Sequence, residues 1–259
     1  MRRLLLAAAL VAAASFTALG CGGSSSDSSD SSAGGEQLVV SAASSLAPAF
    51  TPYAEAAGFD AKQSFAGSDD LAAQIRQGVK PDVYAAANTS LPEDLYEDGL
   101  VEKPVEFATN TLVLAVPADS DIDSVDDLAA PGVSIAIGQK GVPVGDYTRE
   151  VLNRLPAQQS VVILSNVGSE EPDVAGIVGK LTQGAVDAGF VYVTDVVATD
   201  GALEAIDLPK QLQPDVTYGA AVVEGAENPE GARQFIDGLL DGDGAAALET
   251  AGFGPAPGS

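Results

Sequence analysis

Apolar and polar positions along the chain alternate between two periods, two residues and three to four residues. Leu38 to Ala42 is a short apolar run with strand character. Leu46, Phe50, Tyr53, Ala54 and Ala57 then recur at helical spacing, with Pro48 tolerated in the first turn and Gly58 as the stop. Ala61 to Phe65 predicts a strand, and SDDLAAQIRQG predicts a helix with Leu71 and Ile75 facing inward. Ser68 is expected to cap that helix, and Asp69 and Asp70 suit its positive end. Asp82 to Ala87 and Asn110 to Val116 read as buried strands.

The second half repeats the style. Val133 to Ile137 predicts a strand, followed by a helix with Tyr147, Val151, Leu152 and Leu155 on one face. Val161 to Leu164 predicts a strand, and Glu171-Pro172 is expected to open a helix striped by Val174, Ile177, Val178 and Leu181. Asp187 to Asp195 and Thr217 to Val223 are the last strands. Asn228-Pro229 is a cap followed by proline at the first helical position, with Phe235, Ile236, Leu239 and Leu240 as the buried stripe. A final helix is expected near Ala245 to Ala251. Strands alternating with helices imply an α/β fold whose mostly parallel sheets carry helices on both faces.

The start of the chain has a different character. Arg2 and Arg3 precede a short apolar run, Leu4 to Ala14, which matches a secretory leader and is short for a membrane span. Ala18-Leu19-Gly20-Cys21 resembles a bacterial lipobox, which implies cleavage before Cys21 and lipid attachment to its sulfur. Gly22 to Gln37 has almost no apolar residue and reads as a flexible tether reaching about 20 Å. The expected location is the outer face of the bacterial cytoplasmic membrane, with only the lipid touching the bilayer.

Composition then removes several classes of chemistry. The chain has 259 residues, no His, no Trp and one Cys. A Ser-His-Asp triad, a Cys-His pair, a His metal site and an internal disulfide are all impossible. With 37 acidic and 12 basic residues, the net charge of -25 argues against nucleic acid as a partner. No cofactor and no direct metal ligand are expected.

In open α/β sheets, ligands settle at the carboxyl ends of strands beside helix N-termini, where free N–H groups and the helix dipole favour anions. Four junctions have that chemistry: Ser44-Ser45, Gly67-Ser68, Gly141 to Gly145 and Glu171 to Ala175, with Tyr192 a fifth candidate. Each also has a plain structural role as a cap, a tight loop or a core residue.

Taken in order, AASSL, SFAGSDDLAAQI, KPDVYAAA, NTLVLAVP, GVPVGDYTREVL, DVAGIV and DAGFVYVTD resemble the molybdate-binding proteins of bacterial ABC transporters, from Leu38 to Phe253. The resemblance implies a two-lobed periplasmic-binding-protein fold of the second type. Its lobes would be residues 38–113 with 216–259, and residues 114–215, with crossings near Thr111 to Leu114 and Asp215 to Gly219. It implies five oxyanion-binding residues: the hydroxyls of Ser45, Ser68 and Tyr192, and the backbone at Val144 and Val174. The ligand would be molybdate or tungstate, the partner an ABC permease, and the protein a monomer that is not an enzyme. Three departures from the family pattern stand out: Asp69-Asp70 in place of small uncharged residues, Ala175 in place of a common Arg, and Gly219 in place of a common Pro.

Other readings stay open at this level. If Asp69 pointed inward it could accept a phosphate proton, making phosphate the ligand; sulfate would differ from molybdate only in size. A secreted enzyme could pair Asp69 with Asp195, or Glu170 with Glu171. A binding protein for an organic acid would need an Arg clamp, and Arg76, Arg149 and Arg154 read as surface residues on helices.

Overall fold

The computed structural model describes residues 37–258. The expected leader, Cys21 and nearly all of the tether lie outside the described residues. The elements run β1 Leu38–Ala43, α1 Ala47–Ala56, β2 Ala61–Ala66, α2 Ser68–Arg76, β3 Val83–Ala86, α3 Ser90–Glu97, β4 Val105–Asn110 and β5 Leu112–Pro117. They continue with β6 Ile135–Gly138, α4 Pro143–Arg154, α5 Ala157–Ser165, β7 Val167–Glu171, α6 Val174–Thr182, β8 Ala188–Tyr192, α7 Val193–Val197 and β9 Leu203–Asp207. The last are β10 Val216–Val222, α8 Pro229–Leu240 and α9 Asp243–Thr250.

The strands form two five-stranded sheets, ordered β2-β1-β3-β10-β4 and β7-β6-β8-β5-β9. The first sheet is left after Asn110 and the second entered at Leu112, so a single residue, Thr111, makes the crossing. The return falls between Asp207 and Val216, a few residues ahead of the expected Asp215 to Gly219. In each sheet four strands share a direction and one opposes them. The opposing strands are β10, antiparallel to β3 and β4, and β5, antiparallel to β8 and β9. Both are the strands that follow a crossing, so the chain enters each sheet from the opposite end. Strands β1, β2 and β3 pair in parallel, as do β6, β7 and β8.

Period-two alternation places core on both faces of the first sheet. In β3, Val83 and Ala85 join the main core while Tyr84 and Ala86 join a smaller cluster with Leu71, Ile75 and Leu95 from α2 and α3. The main core is continuous across both sheets, from Phe50 and Phe235 to Ile135 and Phe190. Rings bridge the sheets as well: Tyr192 of β8 and Tyr218 of β10 meet edge to face at 5.8 Å.

Several boundaries differ from expectation. Val161 to Leu164 is helical, within α5; only Ile163 of that helix is buried, while Val161 is 62 % exposed. A buried strand would hide alternate residues, whereas this helix turns one residue inward. Glu171 ends β7, and the following helix starts at Val174 behind Asp173. The strand expected to run to Asp195 stops at Tyr192, where α7 begins. Asn228 caps α8 as expected, accepting the Gly231 N–H at 2.9 Å.

Candidate functional site

Strand ends and helix starts from both sheets surround one small cavity of about 10 Å³, room for about one water molecule. Its lining comprises Ala43 to Ser45, Ala66 to Ser68, Ala87, Val142 to Val144, Asp173, Val174 and Tyr192. All five residues singled out from the sequence, Ser45, Ser68, Val144, Val174 and Tyr192, are therefore brought together although they span nearly 150 positions. Each is buried.

Ser45 lies in a short 3-10 turn, Ser44–Leu46, directly after β1. Its Oγ is 2.9 Å from the Tyr218 hydroxyl. Ser68 does not cap α2, as the sequence suggested; Gly67 holds the cap position and Ser68 is the first helical residue. The Ser68 Oγ accepts the Ala87 N–H at 3.1 Å, and the Ser68 carbonyl accepts the Tyr84 hydroxyl at 2.8 Å. The hydroxyl proton of Ser68 is thus left over after its oxygen has been used.

From the second sheet come two helix N-termini. Val144 is the second residue of α4, and the first intrahelical acceptor, Val142, is taken by Asp146 N–H. The N–H of Val144 therefore belongs to the orphan group that every helix start exposes. Close approach makes this possible. A Cβ on Gly145 would lie 2.1 Å from the Gln139 carbonyl oxygen, and one on Gly138 would lie 2.6 Å from Gly145 N. Val174 opens α6, whose cap Asp173 accepts the Gly176 N–H at 2.8 Å. That leaves the Val174 N–H outside the capping bond.

Tyr192 ends β8, 1 % exposed, and its hydroxyl has no hydrogen-bond partner among the described residues. Burial pushes its pKa well above 10, so it stays protonated. Its backbone N–H donates to Asp195 Oδ2 at 3.0 Å, and burial raises the Asp195 carboxyl to about 7. A buried phenol without a partner costs about 1–3 kcal/mol, so such an atom in a cavity wall is a candidate contact for a ligand or a water.

Among the described residues, none that lines the cavity is Lys or Arg, and Asp173 is the one with a charge. Asp173 falls within the expected Glu171 to Ala175 junction but was not singled out; an Asp directly before an apolar helical stripe is the capping signal. Asp69 does not line the cavity. Its Oδ1 is buried without a partner, and burial, then Asp70 and Asp146, raise its pKa. Arg149, read from the sequence as a surface residue, instead reaches the Gly141 to Gly145 junction from behind. It donates to the Gly138 and Gly145 carbonyls at 2.7 and 2.9 Å and pairs with Glu170 at 3.0 Å. It ties α4 to β6 and makes no clamp for an organic acid. The carboxylates of Asp195 and Glu170, considered as catalytic partners, are engaged by Tyr192 N–H and Arg149.

Closure is tight at one point between the sheets. A Cβ on Gly67, beside α2, would sit 2.5 Å from the Pro172 carbonyl oxygen, beside α6. Gly67 has φ −59°, which any residue adopts, so only space demands glycine there.

Comparison with known proteins places this arrangement. A family model described as bacterial extracellular solute-binding protein matches residues 38–254. The molybdate-binding protein of Mycobacterium tuberculosis is 33 % identical over 220 residues, covering 82 % of each chain. That of Escherichia coli is 30 % identical over 230 residues, covering 82 % of this chain and 86 % of the relative. The solved periplasmic molybdate-binding protein of Azotobacter vinelandii shares the fold with a TM-score of 0.74, at 21 % identity, over 83 % of this chain and 98 % of that one. The fold is thus the two-lobed periplasmic-binding-protein fold of the second type, and the chain belongs to the bacterial extracellular solute-binding protein family.

Proposed function

We propose that this chain is an extracytoplasmic, non-enzymatic binding protein that captures molybdate or tungstate between its lobes and delivers it to an ABC permease. The observation that carries the reading is the donor set. Hydroxyls of Ser45, Ser68 and Tyr192 and backbone N–H groups at Val144 and Val174 border one cavity that no basic side chain lines. Molybdate and tungstate are fully deprotonated dianions at neutral pH, able to accept hydrogen bonds and unable to donate. Each bond from a neutral donor to such an anion contributes about 1.5–3 kcal/mol. Monohydrogen phosphate would leave its proton without an acceptor. Asp173 is the carboxylate nearest that question, and its Oδ1 is committed to capping α6.

The lobes in this reading are residues 38–113 with 216–259, and residues 114–215. Lobe closure would shut the cavity over the ion, with Gly67 and Pro172 at the seam. Lipid on Cys21 would hold the protein at the outer face of the cytoplasmic membrane, beside its permease.

The test is thermal denaturation of the purified protein with molybdate, tungstate, sulfate or phosphate in parallel. Ligand at one hundred times its dissociation constant adds about 2.7 kcal/mol. A rise in Tm with molybdate or tungstate and none with phosphate is the expected result. A rise with phosphate alone would overturn the assignment.

A further inference from the structure

We propose that Tyr218, held by Asn110, is a positioning residue that fixes which way the Ser45 hydroxyl points its proton, and thereby which protonation states of an oxyanion the site accepts. The inference rests on the oxyanion reading above and deepens it.

The direction of the chain of hydrogen bonds follows from one backbone group. Thr111 N–H donates to Asn110 Oδ1 at 2.8 Å, which settles the orientation of the Asn110 amide. Its Nδ2 then faces Thr194 Oγ1 at 2.9 Å and the Tyr218 hydroxyl at 3.4 Å. An amide nitrogen only donates, so the Tyr218 oxygen accepts from it. The single phenol proton is left for the other neighbour, Ser45 Oγ, at 2.9 Å. Burial, followed by the nearby Asp195, holds the Tyr218 pKa well above 10, so that proton is always present. Ser45 Oγ therefore accepts from Tyr218, and its own proton is the group left to point into the cavity.

Ser68 reaches the same state by another route, because the Ala87 N–H fills its oxygen. A backbone donor cannot be removed by mutation of a side chain. The Ser45 direction can be, because it depends on the side chains of Asn110 and Tyr218. Without the phenol, the Ser45 hydroxyl is free to turn and offer a lone pair to a proton on the ligand. With Asp at position 110, the carboxylate accepts a hydrogen bond from the phenol, so Ser45 donates to the Tyr218 oxygen and presents its lone pair to the cavity.

The experiment is isothermal titration of the full chain, Tyr218→Phe and Asn110→Asp with molybdate and with phosphate. Mildly alkaline buffer is used, where phosphate retains one proton and molybdate none. Circular dichroism and Tm report folding of each variant. The expected result is a ratio of phosphate to molybdate dissociation constants that falls at least about tenfold in Tyr218→Phe, the worth of one hydrogen bond, and further in Asn110→Asp. An unchanged ratio in both folded variants, including equal loss of affinity for both anions, overturns the inference while leaving the ligand assignment standing. Wild-type protein that fails to bind molybdate overturns the ligand assignment itself.

Discussion

The two sides of the cavity hold their donors by different means. From the first sheet come side-chain hydroxyls, Ser45 and Ser68, each with its oxygen already engaged by a buried neighbour. From the second come mainly backbone N–H groups at the starts of α4 and α6, placed by close contact between glycines and strand ends. A hydroxyl can be deleted without moving the chain. A helix N-terminus can be altered only by moving the backbone that carries it. The two sides should therefore respond to mutation in opposite ways, one losing affinity and the other losing structure first.

The pair Gly145 and Gly67 tests this most severely. A methyl group at Gly145 would collide with the Gln139 and Gly138 carbonyls within its own lobe. Gly145→Ala is expected to cost about 3 kcal/mol or more, at the severe end of overpacking, and to lower Tm whether or not ligand is present. At Gly67 the collision is with Pro172 across the seam. Gly67→Ala should leave the ligand-free Tm nearly unchanged and weaken molybdate binding. Equal effects on folding from both substitutions would remove the distinction.

Next in size is the pH dependence carried by the support beneath Tyr192. Burial raises the Asp195 carboxyl to about 7, against 3.8 as its ordinary value. Between those values the native protein keeps a proton that the unfolded chain has released. The native state binds more protons there, so stability falls as pH rises from about 4 to about 7, by about 4 kcal/mol at most. Asp195→Asn keeps an oxygen to accept the Tyr192 N–H and removes the titration. Chemical denaturation across that range should show a flatter stability profile for the variant. A parallel profile would mean that Asp195 is ionised in the folded protein.

On the hydroxyl side, Ser68→Ala deletes the hydroxyl that the proposed function makes a donor to the ligand, and it orphans the Ala87 N–H. The expected loss is about 1.5–3 kcal/mol of binding, tenfold to over a hundredfold in affinity, with a further stability cost of about 1–3 kcal/mol for the buried N–H. Calorimetric titration with molybdate checks the first and thermal denaturation the second. Unchanged affinity would make Ser68 a structural residue only.

The same contrast explains what could be read from the chain. Strand ends followed by Ser, Gly or Pro and then a helical stripe announce their junctions locally, so the junctions could be read from the chain, while the five residues at them were singled out by the resemblance to molybdate-binding proteins. The three unanticipated strands, β4, β7 and β9, are all sheet edges, where VEFATN, VGSEE and LEAID mix charged or small polar residues with apolar ones and blur the alternation. Val161 to Leu164 misled because a short apolar run fits either period. The link from Asn110 through Tyr218 to Ser45 had no local signal at all. Tyr218 and Ser45 are 173 positions apart, and only the pairing of β10 between β3 and β4 brings them together.

Tyr192 is the one side-chain hydroxyl on the backbone-donor side, and it separates binding from stability most cleanly. In the structure its phenol is buried with no protein partner, and such a group costs about 1–3 kcal/mol wherever neither ligand nor water completes its bonding. Tyr192→Phe removes that cost while keeping the ring that packs against Tyr147 and Tyr218 at 6.4 and 5.8 Å. Without ligand, the variant should unfold at the same temperature as wild type or higher. With molybdate, it should lose about tenfold in affinity, the worth of one hydrogen bond near 1.4 kcal/mol. The gain in Tm on adding molybdate should shrink accordingly. A residue retained only for packing would show neither change, and one that braces the fold would lose stability without ligand. Higher or equal stability joined to weaker binding is the pattern of a group kept for its ligand.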